Sequence, residues 1–160
     1  MKMMRTQIRL LIVTLLLSVL AFSCSQDNKI EPDKNSKLQT NEQEYHKIIN
    51  ARSTYSGTTF EITKVTREGD LMKIDVEGGC DIANYKIVWS GIALMSYPMQ
   101  TGIVVNYEDK VGETCTDKKK FTLEVDMLKL FGTTDIIVHV ANGSKVKDIS
   151  VDPDGSVSNR

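Results

Sequence analysis

The sequence predicts an all-β domain, a small antiparallel β-sandwich with a short helix ahead of it, and three observations carry that expectation. After Ser53, apolar side chains fall on alternate positions in a series of short runs, the period of strands with one buried face. Turn residues separate those runs at short intervals. Roughly 100 residues remain for the domain, which suffices for one modest core.

The opening of the 160-residue chain has a different character. Lys2, Arg5 and Arg9 precede an apolar run from Leu10 to Phe22, and Ser23-Cys24 follows. That is the order of a secretory signal peptide, expected over residues 1–23. The run is shorter than the roughly 18 apolar residues of a spanning helix, and it is apolar on every face, unlike an amphipathic core helix. Leu20-Ala21-Phe22-Ser23-Cys24 resembles a bacterial lipobox. The resemblance implies that Cys24 is acylated and becomes the new N-terminus. A lipoprotein cysteine of that class carries three acyl chains, and two already hold a protein stably on a bilayer. Ser25 in place of Asp implies, by the same resemblance, the outer membrane. Ser25-Gln26-Asp27-Asn28 resembles the polar, acidic tails of surface-exported lipoproteins from Bacteroidetes-type bacteria. The expected location is therefore the cell envelope, on the periplasmic side or at the surface. With Cys24 consumed by lipid, Cys80 and Cys115 remain as a pair in an oxidising compartment, and a disulfide is expected. It would close a loop of about 36 residues, worth about 4 kcal/mol by chain entropy.

Residues 24–52 are expected to form a polar tether. Within it, Tyr45, Ile48 and Ile49 recur at helical spacing, and Asn41 and Glu44 stand like a capping box, which predicts a short helix over 41–52. At about three turns such a helix persists only if it docks. The sandwich is expected over 53–160. Its strands are read from Phe60 and Ile62; Met72, Ile74 and Val76; Tyr85, Ile87 and Trp89; Ile103, Val105 and Tyr107; Phe121, Leu123 and Val125; Ile136, Val138 and Val140; and Val146 to Val151. Asn142-Gly143 is the strongest hairpin signal, suited to a type I′ turn. Between Asp126 and Gly132 the alternation breaks, which predicts a short helical crossing.

Cys80, Trp89 and Cys115 give the Cys, Trp, Cys order of an immunoglobulin domain, so the sandwich resembles that class loosely. Tyr85-x-x-x-Trp89, Ser96-Tyr97-Pro98 and Cys115 ahead of Phe121-x-Leu123 are similar to small lipoproteins of unknown function from Bacteroidetes-type bacteria. That likeness covers about a third of the chain and implies an address, with no reaction attached.

Function is constrained mainly by exclusion. Removing the first 23 residues, with their three cations, leaves 17 basic against 21 acidic side chains. Cations scattered among carboxylates do not build a phosphate-binding surface, and nucleic acid is excluded as a partner. No catalytic set is recognised. His46 and His139 are the only histidines, and His139, between Val138 and Val140, is expected on the solvent side of its strand. A hydrolase would need a pocket joining His139 to carboxylates such as Asp135 or Asp148. Neither a metal site nor a cofactor is implied: Asp152-Pro153-Asp154-Gly155 reads as a polar turn, because the later ligands of a calcium loop are missing. Lys118-Lys119-Lys120 reads as a solvated turn protecting a strand edge. Met95, Tyr97, Pro98 and Met99 form the most informative stretch. Core packing is the ordinary reading of such side chains, and exposure would make them a binding loop; Tyr97-Pro98 is also a candidate cis bond. The expected function is a non-catalytic, envelope-anchored module that meets a protein or glycan partner, with an assembly accessory acting by strand addition as the alternative.

Overall fold

Period-two burial builds the strands. In β3, Leu71–Gly78, every second side chain is buried, with Met72, Ile74 and Val76 in the core. The structure, a computed structural model, describes residues 37–110 and 118–159; the expected signal peptide, Cys24 and Cys115 lie outside the described residues. In chain order the elements are β1 (Lys37–Thr40), α1 (Glu42–Ala51), β2 (Phe60–Glu68), β3, β4 (Tyr85–Leu94), β5 (Met99–Tyr107), β6 (Lys120–Asp126), α2 (Met127–Phe131), β7 (Ile136–Asn142), β8 (Asp148–Val151) and β9 (Val157–Asn159). One sheet has the order β1-β4-β5-β7-β8-β9 and the other β2-β3-β6. Their facing side chains form one core, from Phe60, Ile62 and Ile74 on the small sheet to Ile87, Ile103 and Val138 on the large one. The fold is mostly β, in the manner of a sandwich, and each strand read from alternation is present. The crossing helix is α2, capped by Asp126, whose Oδ1 accepts the Lys129 N–H at 2.9 Å, and closed by Gly132 at φ 74°.

Three expectations are corrected. The sandwich is not purely antiparallel, because β1 pairs parallel with β4 and β5 parallel with β7. After β5 the chain crosses to the small sheet as β6 and returns through α2, so β7 enters beside β5 in the same direction. These two parallel pairs depart from the antiparallel sheets of the immunoglobulin class that the sequence resembles loosely. Residues 37–40, expected within an unstructured tether, form a strand on the edge of β4, with the Asn41 N–H continuing the pairing to the Trp89 carbonyl at 2.9 Å. Finally, Asn142-Gly143 does not make a type I′ turn. Neither residue has positive φ, and Asn142 is fully buried. Its Nδ2 donates to the Phe60 carbonyl at 2.9 Å, and its Oδ1 accepts from the Ser144 N–H at 2.8 Å. Gly143 extends the pairing with β5 by donating to the Val105 carbonyl at 2.8 Å. A Cβ there would lie 2.7 Å from that same oxygen, so the glycine serves close approach and not turn geometry.

Candidate functional site

The site is built where α1 lies on the outer face of the large sheet. Asn41 caps the helix, its Oδ1 accepting the Glu44 N–H at 3.0 Å. The reciprocal half of the capping box is not made. The Glu44 carboxylate instead takes the Lys86 ammonium at 2.5 Å and the Gln39 amide, and Lys86 also reaches Glu108 at 3.0 Å. Tyr45, Ile48 and Ile49 pack on Val88, Val104 and Ala141, a second, smaller core. Two glycines admit the helix: a Cβ at Gly102 would sit 2.4 Å from the Tyr45 hydroxyl, and one at Gly143 3.0 Å from Ile48. Past the helix, Arg52 forks onto Asp148, with Nη2 to Oδ2 at 3.1 Å.

Beside α1 the large sheet is left uncovered, and a groove of about 330 Å³ opens between Tyr45 and His46 on the helix and Ile92 and Leu94 on β4, floored by Thr101, Gly102 and His139. These two apolar side chains fall on the outer face in step with Val88, next to a bulge that keeps the alternation. Between Trp89 and Ala93 the β4–β5 register shifts, with Gly91 at φ 80°, where a Cβ would be strained. Ser90 Oγ accepts the Ile92 N–H at 3.2 Å, and the buried Thr101 hydroxyl donates to the Ile92 carbonyl at 2.7 Å while accepting from Trp89 Nε1 at 2.8 Å. The Ile92 N–H and carbonyl, which leave the strand pairing at the bulge, are thereby both hydrogen-bonded.

The four predicted loop residues divide. Met95 is 91% and Tyr97 98% exposed, whereas Met99 packs against the core and Pro98 is half-buried. Core packing is thus overturned for Met95 and Tyr97. Leu94, 61% exposed, joins them to the groove. The Tyr97-Pro98 bond is cis, and Ser96 Oγ donates to the Pro98 carbonyl at 2.6 Å.

His139 faces outward, opposite to Val138 and Val140, and is half-buried in the groove floor. His139 Nε2 lies 3.1 Å from Gln100 Oε1, and Nδ1 lies 2.8 Å from the Ser150 hydroxyl, so both ring nitrogens are engaged. Ser150 is 3% exposed, and its hydroxyl is beyond a substrate's reach. The carboxylates that would complete a hydrolytic set lie elsewhere: Asp148 holds Arg52, and Asp135 lines a separate polar cleft with Arg67 and Asp154. In that cleft Arg67 donates to the carbonyls of Ile136 and Asp152, both at 3.2 Å, tying β2 to the large sheet. Asp152–Gly155 is a turn between β8 and β9, with Asp154 Oδ1 accepting the Ser156 N–H at 2.8 Å. No group of three or more metal-ligating side chains occurs among the described residues, and no described helix is long and apolar enough to cross a membrane.

At the opposite end of β4 stands Cys80. Its N–H donates to the Tyr107 hydroxyl at 2.8 Å, and its carbonyl accepts from Lys119 Nζ at 3.1 Å. Lys118, Lys119 and Lys120 are all exposed, as expected of a solvated edge. Sequence reasoning missed Tyr45, Gln100, Thr101 and Gly102 as parts of the groove. A glycine inside an alternating strand was the one signal available, because it marks a close approach by another element. Compared with known proteins, the chain matches no family model, no curated protein and no solved structure.

Proposed function

We propose that the chain is a non-catalytic interaction module, held at the cell envelope by acylated Cys24, that grips an apolar segment of a partner protein with the α1 groove and the β4–β5 hairpin tip. The exposure of Leu94, Met95 and Tyr97 carries this reading. Large apolar side chains gathered at one tip and continuous with an apolar groove cost solubility, and such patches mark contact sites. Methionine and tyrosine suit the task, one adaptable and the other rigid with a polar end. An apolar lining favours protein over glycan, since a sugar needs converging polar groups.

The scaffold reading includes a Cys80–Cys115 disulfide. Its support is the local chain path: the Gly78 N–H donates to the Lys119 carbonyl at 2.9 Å, which holds the chain a few residues past Cys115 against the Cys80 turn. Of the immunoglobulin resemblance, this reading retains only two facing sheets and a bridge near one end.

A crosslinking pull-down from intact cells, using the full chain, tests the proposal. Unaltered protein is expected to recover a discrete partner that the double variant Leu94→Ser, Tyr97→Ser does not. Equal recovery by both would overturn the groove and tip as the contact. Intact-mass analysis of the same material is expected to show acyl chains on Cys24 and no free thiol at Cys80 or Cys115.

A further inference from the structure

We infer that the open edge of β6 pairs with β6 of a second copy of this chain, joining two three-stranded sheets into one continuous sheet. The edges of this molecule are not alike. On the large sheet, β1 has 4 residues and β9 has 3, all of the latter exposed. On the small sheet, β2 is broken by a register shift between Ile62 and Lys64. Short and bulged strands are poor templates for addition. β6 is different: its 7 residues pair with β3 without irregularity, and no described strand lies on its other side.

Backbone alternation states what that edge offers. The Gly78 N–H donates to the Lys119 carbonyl and the Met127 N–H to the Asp70 carbonyl, so the odd-numbered residues of β6 turn their hydrogen-bonding groups to β3. Those of Lys120, Thr122, Glu124 and Asp126 therefore face the open side. Antiparallel pairing of the whole strand with itself centres on Leu123. In that register Thr122 exchanges hydrogen bonds with Glu124 of the copy, and Lys120 with Asp126.

The side chains are complementary in the same register. Lys120 on the outer face, already 3.8 Å from Glu77, would have the copy's Asp126 on its other flank. On the inner face, buried Leu123 meets its own copy, and Phe121, only partly buried in one chain, is covered by the copy's Val125. The Lys-x-x-x-x-x-Asp ends of the strand thus attract, where a strand with one sign of charge at both ends would repel itself. The occupant this edge fits is another β6.

Sedimentation equilibrium of the full chain, in detergent matched to solvent density so that only protein mass is read, tests the pairing. Zero-length amine-to-carboxylate crosslinking of a mixture of light and heavy isotope-labelled chains gives the register. The expected results are a two-chain mass and mixed-label links between Lys120 and Asp126. Thr122→Pro removes an N–H that the single chain does not use within its sheet, and is expected to give a one-chain mass with an unchanged circular dichroism spectrum. If Thr122→Pro fails to fold, Lys120→Glu decides, with an expected weakening of association of tenfold or more. A one-chain mass for the unaltered chain would overturn the inference. So would a pair that survives Lys120→Glu, or one without mixed-label links.

Discussion

The two ends of β4 are opposites. At its start, Tyr85 is fully buried and ringed edge-on by Phe60, Tyr107 and Phe121, at centroid separations of 5.2, 5.0 and 5.8 Å. Its hydroxyl donates to the Gly78 carbonyl at 3.0 Å, and the Tyr107 hydroxyl takes N–H groups from both Cys80 and Asn84. At its finish, Leu94, Met95 and Tyr97 meet solvent. One strand therefore carries apolar surface that is fully spent on folding at one end and left over at the other. Stability should reside at the first and recognition at the second, and substitutions that separate the two test this.

The largest effect is expected from Tyr85→Ala, which empties the aromatic cluster and leaves the Gly78 carbonyl short of a donor. A loss of about 4–5 kcal/mol in urea unfolding is expected. Next comes Gly143→Ala, whose Cβ would press on the Val105 carbonyl and on Ile48 of α1. It should cost about 1–3 kcal/mol, with faster amide exchange in α1 as its signature.

A smaller effect is expected from pH, through Lys86 and its two carboxylates. Burial raises the Glu108 carboxyl's affinity for a proton, but the Lys86 hydrogen bond and charge, with help from Lys37, outweigh it and hold the group below its ordinary 4.5. Burial also opposes the charge on Lys86, and the hydrogen bonds it donates to Glu44 and Glu108 overcome that to raise it. A depressed carboxyl contributes stability that is complete above its unfolded value and is lost as pH falls through the lower folded one. The raised Lys86 contributes below its ordinary 10.5, and that share is lost as pH rises through the higher folded value. Exchange protection of α1 should therefore be flat between about pH 5 and 10 and fall below about pH 4. Glu108 is 43% exposed, so screening keeps the change under about 1 kcal/mol. Protection that is independent of pH down to that point and beyond would remove this triad from the docking of α1.

The smallest stability effect belongs to the tip. Tyr97→Ser should change unfolding by less than about 0.5 kcal/mol, because the ring buries almost nothing in the free chain. A loss comparable with that of Gly143→Ala would mean that the tip is structural after all, and the contrast between the two ends would fail.

The strands were legible because each carries its own alternating record: Met72, Ile74 and Val76 needed no partner to be read. What was not legible depends on pairs. Lys37–Thr40 has no apolar alternation worth reading, and it is a strand only because β4 offers an edge. Parallel pairing of β5 with β7 follows from the path through β6 and α2, which local pattern does not encode. Asn142-Gly143 does open the β7–β8 hairpin turn as its composition suggests, yet burial against Phe60 and α1 overrode the type I′ geometry. At the candidate site, composition singled out Met95, Tyr97, Pro98 and Met99 together, and only position in the hairpin separates the exposed pair from Met99. The groove itself is made by α1 lying on three strands, β4, β5 and β7, that are far apart in sequence, beyond the reach of any one segment.

The claim that the exposed end of β4 is a recognition surface is tested most directly by replacing Tyr97 with a photo-crosslinking phenylalanine analogue in intact cells. The expected result is one discrete higher-mass adduct on illumination, absent when Leu94→Ser is added and absent when the analogue stands instead at Thr63 on the opposite sheet. No adduct at position 97, or the same adducts from both positions, would contradict it.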